Sequence, residues 1–222
     1  RSFWYRWWLE RIVDPCPQIT INKQLLPQKC HQVRKGPTER RSQLQVLMEQ
    51  SPGRDVQYAA ALALAYAGDQ PRVRALTDDL GQRFPEDTIV RFNFLPTLRA
   101  KLALSRGNAA EALETLTTAA PYDLGQSTSG VYAWTSLYPV FVRGEAYLVA
   151  HQGREAAAEF QKILDHRGIV LNEPIGALAH LQIGRAYVMQ GDTAKAKAAY
   201  QIFLTLWKDA EPGHPRPDRS KV

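Results

Sequence analysis

Few residues in this chain have the types and spacing that catalysis requires. The run from Ser127 to Gly130 follows Gly125 and resembles the turn that exposes a nucleophilic serine in hydrolases. The second glycine of that motif stands one residue late here, and no strand-like stretch precedes it. A small hydrolase that uses Ser127 with His151 or Glu145 is therefore an alternative function, and no catalytic residue set is predicted.

Soft metal ligands occur near the start of the chain. Cys16, Cys30 and His31 offer thiolate and imidazole groups. A zinc site needs four ligands in paired, short spacings, whereas here the two cysteines stand fourteen residues apart and only His31 joins them. The sequence therefore predicts neither a metal site nor a cofactor.

The first quarter of the chain is basic and aromatic. Residues 1–54 hold ten Lys and Arg against four Asp and Glu, whereas the remaining residues are balanced. Arginines are interleaved with tryptophans at the start: Arg1, Trp4, Arg6, Trp7, Trp8 and Arg11. Such a segment suits nucleic-acid phosphates or a membrane surface, because guanidinium groups meet phosphate while indole rings stack or settle at interfaces. The other interpretation is a segment that caps the first helices or runs extended.

The composition is that of a folded chain. Its 222 residues are 45% hydrophobic, which is enough to bury a core. The longest apolar run, eleven residues from Tyr58 to Gly68, is shorter than the ~20 residues that a membrane-spanning helix needs. Two cysteines neither demand nor exclude an oxidising compartment. We expect a soluble protein, with the cytoplasm favoured and the compartment otherwise open.

From residue 55 onward the chain follows a helical period, with glycines where a helix must stop and reverse. Four helical pairs are predicted: Asp55–Ala67 with Pro71–Phe84, Thr88–Ser105 with Ala109–Ala119, Leu137–His151 with Arg154–His166, and Pro174–Gln190 with Thr193–Ala210. Pro96 falls inside one of these helices, so we expect a kink or a break there. The stretch 121–136 is too long for a hairpin turn and is predicted to be an inserted loop. Residues 211–222 are predicted to be disordered.

Two of these helical pairs share one residue pattern. Gly144, Tyr147, Ala156 and Phe160 recur forty residues later as Gly184, Tyr187, Ala196 and Tyr200. Weaker copies align as Ala100, Ala103, Ala112 and Leu116, and as Ala61, Leu64, Val73 and Thr77. A fixed period of this length is typical of a repeat protein. Small residues persist in all four copies, which predicts close approach of two helices at those points.

The pattern resembles the helix-turn-helix unit of the tetratricopeptide-repeat family over residues 55–210. The resemblance implies an all-α solenoid of about four hairpins and a non-catalytic module that binds a partner protein or peptide. A narrower likeness covers His166–Pro174, which is similar to the repeat region behind the kinase domain of eukaryotic-like serine/threonine kinases and regulators of soil bacteria. No kinase motif occurs in this chain, so that likeness implies at most a sensory or docking module.

In that family the first helix of each hairpin lines a concave groove. Transferring the groove positions to this chain gives nine candidate partner-binding residues: Tyr58, Tyr66, Phe94, Lys101, Tyr138, Phe141, Glu145, Arg185 and Met189. Aromatic side chains offer contact area at low entropic cost, and Lys101, Glu145 and Arg185 would orient a peptide through its charged groups. The apolar candidates have an equally open alternative, which is to pack between repeats.

Overall fold

Helices make up almost all of the chain that the computed structural model describes, which is residues 53–125, 136–171 and 173–207. These ranges contain nine α-helices and no strand. The helices are α1 Arg54–Tyr66, α2 Gln70–Arg83, α3 Leu95–Ser105, α4 Ala109–Leu116, α5 Tyr138–Val149, α6 Gly153–Asp165, α7 Arg167–Val170, α8 Ile175–Met189 and α9 Thr193–Trp207. A π-helical turn, Val90–Phe94, leads into α3, and a 3₁₀ turn, Ala120–Tyr122, follows α4. The prediction of an all-α chain is confirmed for the described residues.

The helices pack in the order in which they follow one another. Helix α1 packs on α2, α3 on α4, α5 on α6, and α8 on α9, which makes four hairpins. We call α1, α3, α5 and α8 the first helices and their partners the second helices. Each first helix also contacts the next first helix, and each second helix contacts the first helix of the following hairpin. Every hairpin therefore packs on the next one along the chain.

The four hairpin turns share one backbone geometry. The residue before each second helix donates its amide to a carbonyl five residues back, at N–O distances of 2.9 to 3.1 Å: Asp69 to Leu64, Asn108 to Ala103, Gln152 to Tyr147 and Asp192 to Tyr187. The preceding residue has a positive φ in all four turns: Gly68, Gly107, His151 and Gly191. This bond pairs a carbonyl that the end of the first helix would otherwise leave free. The third turn differs only in placing histidine where the others have glycine.

His151 is the turn residue whose backbone conformation is energetically unfavourable. Its φ of 57° brings a Cβ close to the following carbonyl, which glycine avoids. We expect His151→Gly to raise the free energy of unfolding by about 0.5–1 kcal/mol, measured as a higher urea midpoint at constant slope. Gly191→Ala is the matched control. It should lower the midpoint through its φ of 77° alone, since no atom lies within 4 Å of the added Cβ. An unchanged or lower midpoint for His151→Gly would contradict the expectation.

Small residues allow the two helices of a hairpin to touch. A Cβ added to Gly144 in α5 would lie 2.6 Å from Phe160 Cζ in α6, and one added to Gly184 in α8 would lie 2.5 Å from Tyr200 Cε1 in α9. Forty residues apart, a glycine and an aromatic ring make the same contact. The prediction of close approach at these points is confirmed for the third and fourth hairpins.

The Gly144 contact leaves no room for a methyl group. We expect Gly144→Ala to lower the free energy of unfolding by about 1–3 kcal/mol, because the Phe160 ring must leave its position. Gly168→Ala is the control, since Gly168 is exposed and nothing lies within 4 Å of its added Cβ. Chemical denaturation of both variants tests the difference. Equal stability of the two variants would show that the helices are not in contact at Gly144.

The structure moves some predicted boundaries. Helix α4 ends at Leu116 rather than Ala119, and the hydroxyls of Thr117 and Thr118 bond back to carbonyls of the preceding turn. Such hydrogen bonds from a side chain to the backbone compete with the hydrogen bonds that would continue the helix. The irregularity expected at Pro96 takes the form of the π-helical turn, in which the Leu95 amide bonds to a carbonyl five residues back. Helix α7 was not predicted.

Candidate functional site

The nine predicted partner-binding residues all lie on first helices or on the π-helical turn before α3. The structure divides them into two groups by burial. Four are buried, with at most 2% of the residue exposed: Tyr58, Phe94, Tyr138 and Phe141. Five are half-buried or exposed: Tyr66, Lys101, Glu145, Arg185 and Met189.

Three members of the buried group form aromatic contacts between hairpins, and the fourth forms one within a hairpin. The Tyr58 and Phe94 rings stack with centroids 3.8 Å apart, and Tyr138 meets Tyr58 edge-on at 6.4 Å. Phe141 packs edge-on against Phe160, with centroids 5.5 Å apart. Pairs of this geometry stabilise a core beyond the area they bury. These four side chains are packed inside the core and are not open to a partner.

Three of the remaining candidates meet across three first helices. The ammonium group of Lys101 in α3 lies 3.0 Å from Glu145 Oε2 in α5 and 3.8 Å from the ring centre of Tyr66 in α1. The Tyr66 hydroxyl donates to the same Glu145 oxygen at 3.3 Å. Burial and the Glu145 carboxylate raise the pKa of Tyr66 well above its ordinary value. We call these three residues the brace, because they join three hairpins while the charges of Lys101 and Glu145 neutralise each other.

The more open part of the first helices lies on α5 and α8. Val149, Val188 and Met189 are 45%, 50% and 44% exposed. Arg185 stands one helical turn before the last two, and it donates to the neutral Gln182 side chain at 3.1 Å. We call Val149, Arg185, Val188 and Met189 the open patch.

Contacts between the ends of the two helices bring the open patch together. A Cβ added to Gly153, at the start of α6, would lie 2.9 Å from Met189 Cβ. Gln190 donates to the Gly153 carbonyl at 2.8 Å. The end of α8 therefore lies against the turn that follows Val149. Sequence reasoning missed Val149 and Val188, although a forty-residue shift from Met189 leads directly to Val149.

A buried carboxyl group lies beside the aromatic contacts. Glu173, in the linker before α8, accepts a hydrogen bond from the Tyr138 hydroxyl at 2.9 Å. Burial raises the pKa of Glu173 to about 7, although the Tyr138 hydrogen bond opposes that rise. The proton on this carboxyl group is therefore held more tightly in the folded chain than in the unfolded chain.

The raised pKa of Glu173 predicts a pH-dependent stability. Its contribution to the free energy of unfolding is fully present below pH 4.5, which is the ordinary pKa of the group. The contribution is lost as the pH rises to about 7, the pKa in the folded chain, and it changes no further above that pH. We expect the loss to reach about 3 kcal/mol, measured by urea unfolding between pH 4.5 and 8. Glu173→Gln should flatten this part of the profile, whereas Glu155→Gln, at an exposed site on α6, should leave it unchanged. Parallel profiles for wild type and Glu173→Gln would contradict the assignment.

A buried ionic cluster joins the second and third hairpins. Arg143 in α5 contacts the carboxylates of Asp123 and Glu159, and Lys162 lies 3.0 Å from Asp123 Oδ2. Ser136 donates to the Asp123 carbonyl at 3.0 Å, so the chain on the two sides of residues 126–135 is held together. This cluster fixes the start of α5 against the residues that follow α4.

The residues of the alternative functions lie largely outside the described part of the chain. This holds for Ser127 of the hydrolase alternative, for Cys16, Cys30 and His31, and for residues 1–52 of the basic segment 1–54. Within the described residues, Glu145 belongs to the brace, and no group of three or more His, Cys, Asp and Glu side chains is placed to hold a metal ion. No helix among the described residues is long and apolar enough to span a membrane.

Comparisons of the chain with models of protein families, with curated proteins and with solved structures return no match.

Proposed function

We propose that this chain is a non-catalytic protein-interaction module built from tetratricopeptide-like hairpins. Three features support the repeat interpretation: the shared turn geometry, the repeated glycine-aromatic contact, and the packing of each hairpin on the next. A repeat array presents equivalent positions of its first helices side by side, which makes an extended surface for another chain. The proposed partner is a protein or peptide that binds along these helices.

The open patch is the observation that carries the proposal. Three aliphatic side chains, each about half exposed, lie at the adjoining ends of α5 and α8, and on α8 they stand beside one guanidinium group whose partner in that helix is a neutral amide. Aliphatic side chains in this position favour burial against apolar groups of a partner. An arginine gains most from a carboxylate, which it binds through two parallel hydrogen bonds. The patch therefore suits a peptide that carries an acidic group beside apolar side chains.

The brace supports binding at the patch without taking part in it. Lys101 and Glu145 are only 12% and 16% exposed in their side chains, and each neutralises the other. Their pairing ties α1 and α3 to α5, whose far end carries Val149 of the open patch. A patch on helices that are already fixed loses less entropy on binding than a mobile one.

The proposal is tested by measuring which proteins from a lysate of the source organism the chain retains. The full chain is compared with Arg185→Glu and Val188→Asp at low and at moderate salt. We expect specific partners to be lost or weakened at least ~10-fold in both variants, because one reverses a charge and the other buries an unpaired carboxylate. Circular dichroism should be unchanged, since both side chains leave the core intact.

Arg74→Glu on α2 is the control, because it makes the same charge change at an exposed position outside the first helices. Capture that is equal for wild type, Arg185→Glu and Val188→Asp would remove the open patch as the binding site. If the amount of captured partner instead falls steeply as the salt concentration rises, and does so equally in all variants, the result would favour binding of nucleic acid or membrane through the basic segment.

A further inference from the structure

The turn that leads from α7 into α8 has an unfavourable backbone conformation. Leu171 has a φ of 53° and a ψ of −123°, a combination that glycine adopts in type II′ turns. The Glu173 amide donates to the Val170 carbonyl at 3.1 Å and closes the turn. Leu171 is 64% exposed, so the contacts on both sides of it, rather than its own packing, hold this conformation.

Two contacts hold the closed turn in place. A Cβ added to Gly176 in α8 would lie 2.8 Å from Val170 Cγ1, so the end of α7 lies against the first turn of α8. The Glu173 carboxyl group accepts a hydrogen bond at 2.9 Å from the hydroxyl of Tyr138 in α5, a fully buried residue. The first contact is apolar, whereas the second depends on the charge of Glu173.

The groups around Glu173 favour its neutral form. Its carboxyl group faces two phenols, Tyr138 of α5 and Tyr58 of α1, and burial and the Glu173 charge raise the pKa of both. On α7 and α8, burial and the Arg167 charge lower the pKa of His180. Neither of these two groups acts on Glu173, whose pKa is raised by burial and opposed only by the Tyr138 hydrogen bond. No cation of the described residues therefore neutralises the ionised carboxylate.

We propose that Glu173 and Tyr138 form a latch on the turn between α7 and α8. The turn is closed while the Glu173 carboxyl group carries a proton, and it opens more often, with the hairpins still folded, once that proton is lost. A buried carboxylate that meets only neutral groups is unfavourable, whereas the open turn exposes it to water. Opening also releases Leu171 from its left-handed conformation.

The direction of the pH dependence follows from the pKa of Glu173 in the two forms. The open turn restores the ordinary pKa of 4.5, while the closed turn holds the pKa at about 7. Below pH 4.5 both forms are protonated, and the turn is closed most firmly. Between pH 4.5 and about 7 the ratio of open to closed turns rises, and above that pH it is constant.

Amide hydrogen exchange of the full chain between pH 4.5 and 8 tests the proposal. After correction for the intrinsic exchange rate, we expect protection of the Glu173 and Gly176 amides to fall by roughly 100-fold over this range. These two amides bond to the Val170 and Glu173 carbonyls in the closed turn. At every pH they should be less protected than the amide of Phe160 in the buried part of α6, since the turn opens without unfolding of the hairpins.

Glu173→Gln should keep the turn closed and remove the pH dependence of exchange at residues 173 and 176. Glu155→Gln, at an exposed site on α6, is the control and should retain it. Protection equal to that of Phe160 at every pH would show that the turn opens only when the whole fold unfolds. A pH dependence that persists in Glu173→Gln would show that another group controls the turn. Either result would overturn the latch.

A disulfide across the turn tests the same motion without changing Glu173. With Cys16 and Cys30 changed to serine, Val170→Cys and Gly176→Cys are combined, because the two positions are in contact. The oxidised form should lose the pH dependence of exchange at residue 173, and reduction should restore it. A pH dependence that is equal in the oxidised and reduced forms would contradict opening between α7 and α8.

Discussion

The contact between a small residue of a first helix and a large residue of its second helix determines how each hairpin is built. In the third hairpin the Phe160 ring lies where a Cβ of residue 144 would be, and Tyr200 repeats this contact against Gly184. Such interlocking fixes both the distance between the helices and their rotation about their own axes. Because the helical period relates all positions on one helix, the rotation of α5 determines which way Glu145 and Val149 face. The rotation of α8 does the same for Arg185 and Met189, which stand forty residues later.

That rotation brings charged side chains together, both between successive hairpins and within the third one. Lys101 meets Glu145 in the brace, and Arg143 meets Asp123 and Glu159 in the buried cluster. Charges removed from water need partners of opposite charge, and in each of the two groups a cation lies against a carboxylate. The charged side chains of the brace and of the buried cluster therefore hold the first three hairpins in register. The large apolar side chains that are exposed on the first helices lie at the end of α5 and on α8.

The two ends of the described array differ in how much apolar surface they expose. Helix α1 is buried from Val56 to Leu64, whereas α9 exposes Ile202, Leu204 and Leu206. A repeat array needs a cover at each end, since every unit buries its apolar side against a neighbour. The open patch, on which a partner is proposed to bind, lies in the second half of the chain, at the end of α5 and on α8.

The sequence by itself determined the helices, their hairpin turns and the close approach at Gly144 and Gly184, because helical period, turn glycines and small residues act over a few neighbours. Only the tertiary structure decided which groove candidates are buried. Tyr58 and Phe94 lie in different hairpins and stack with each other, and the Lys101 charge is neutralised by Glu145, forty-four residues later. Burial and pairing of this kind depend on how one hairpin is rotated against the next. That rotation results from the packing of all hairpins together and is not encoded in any single repeat.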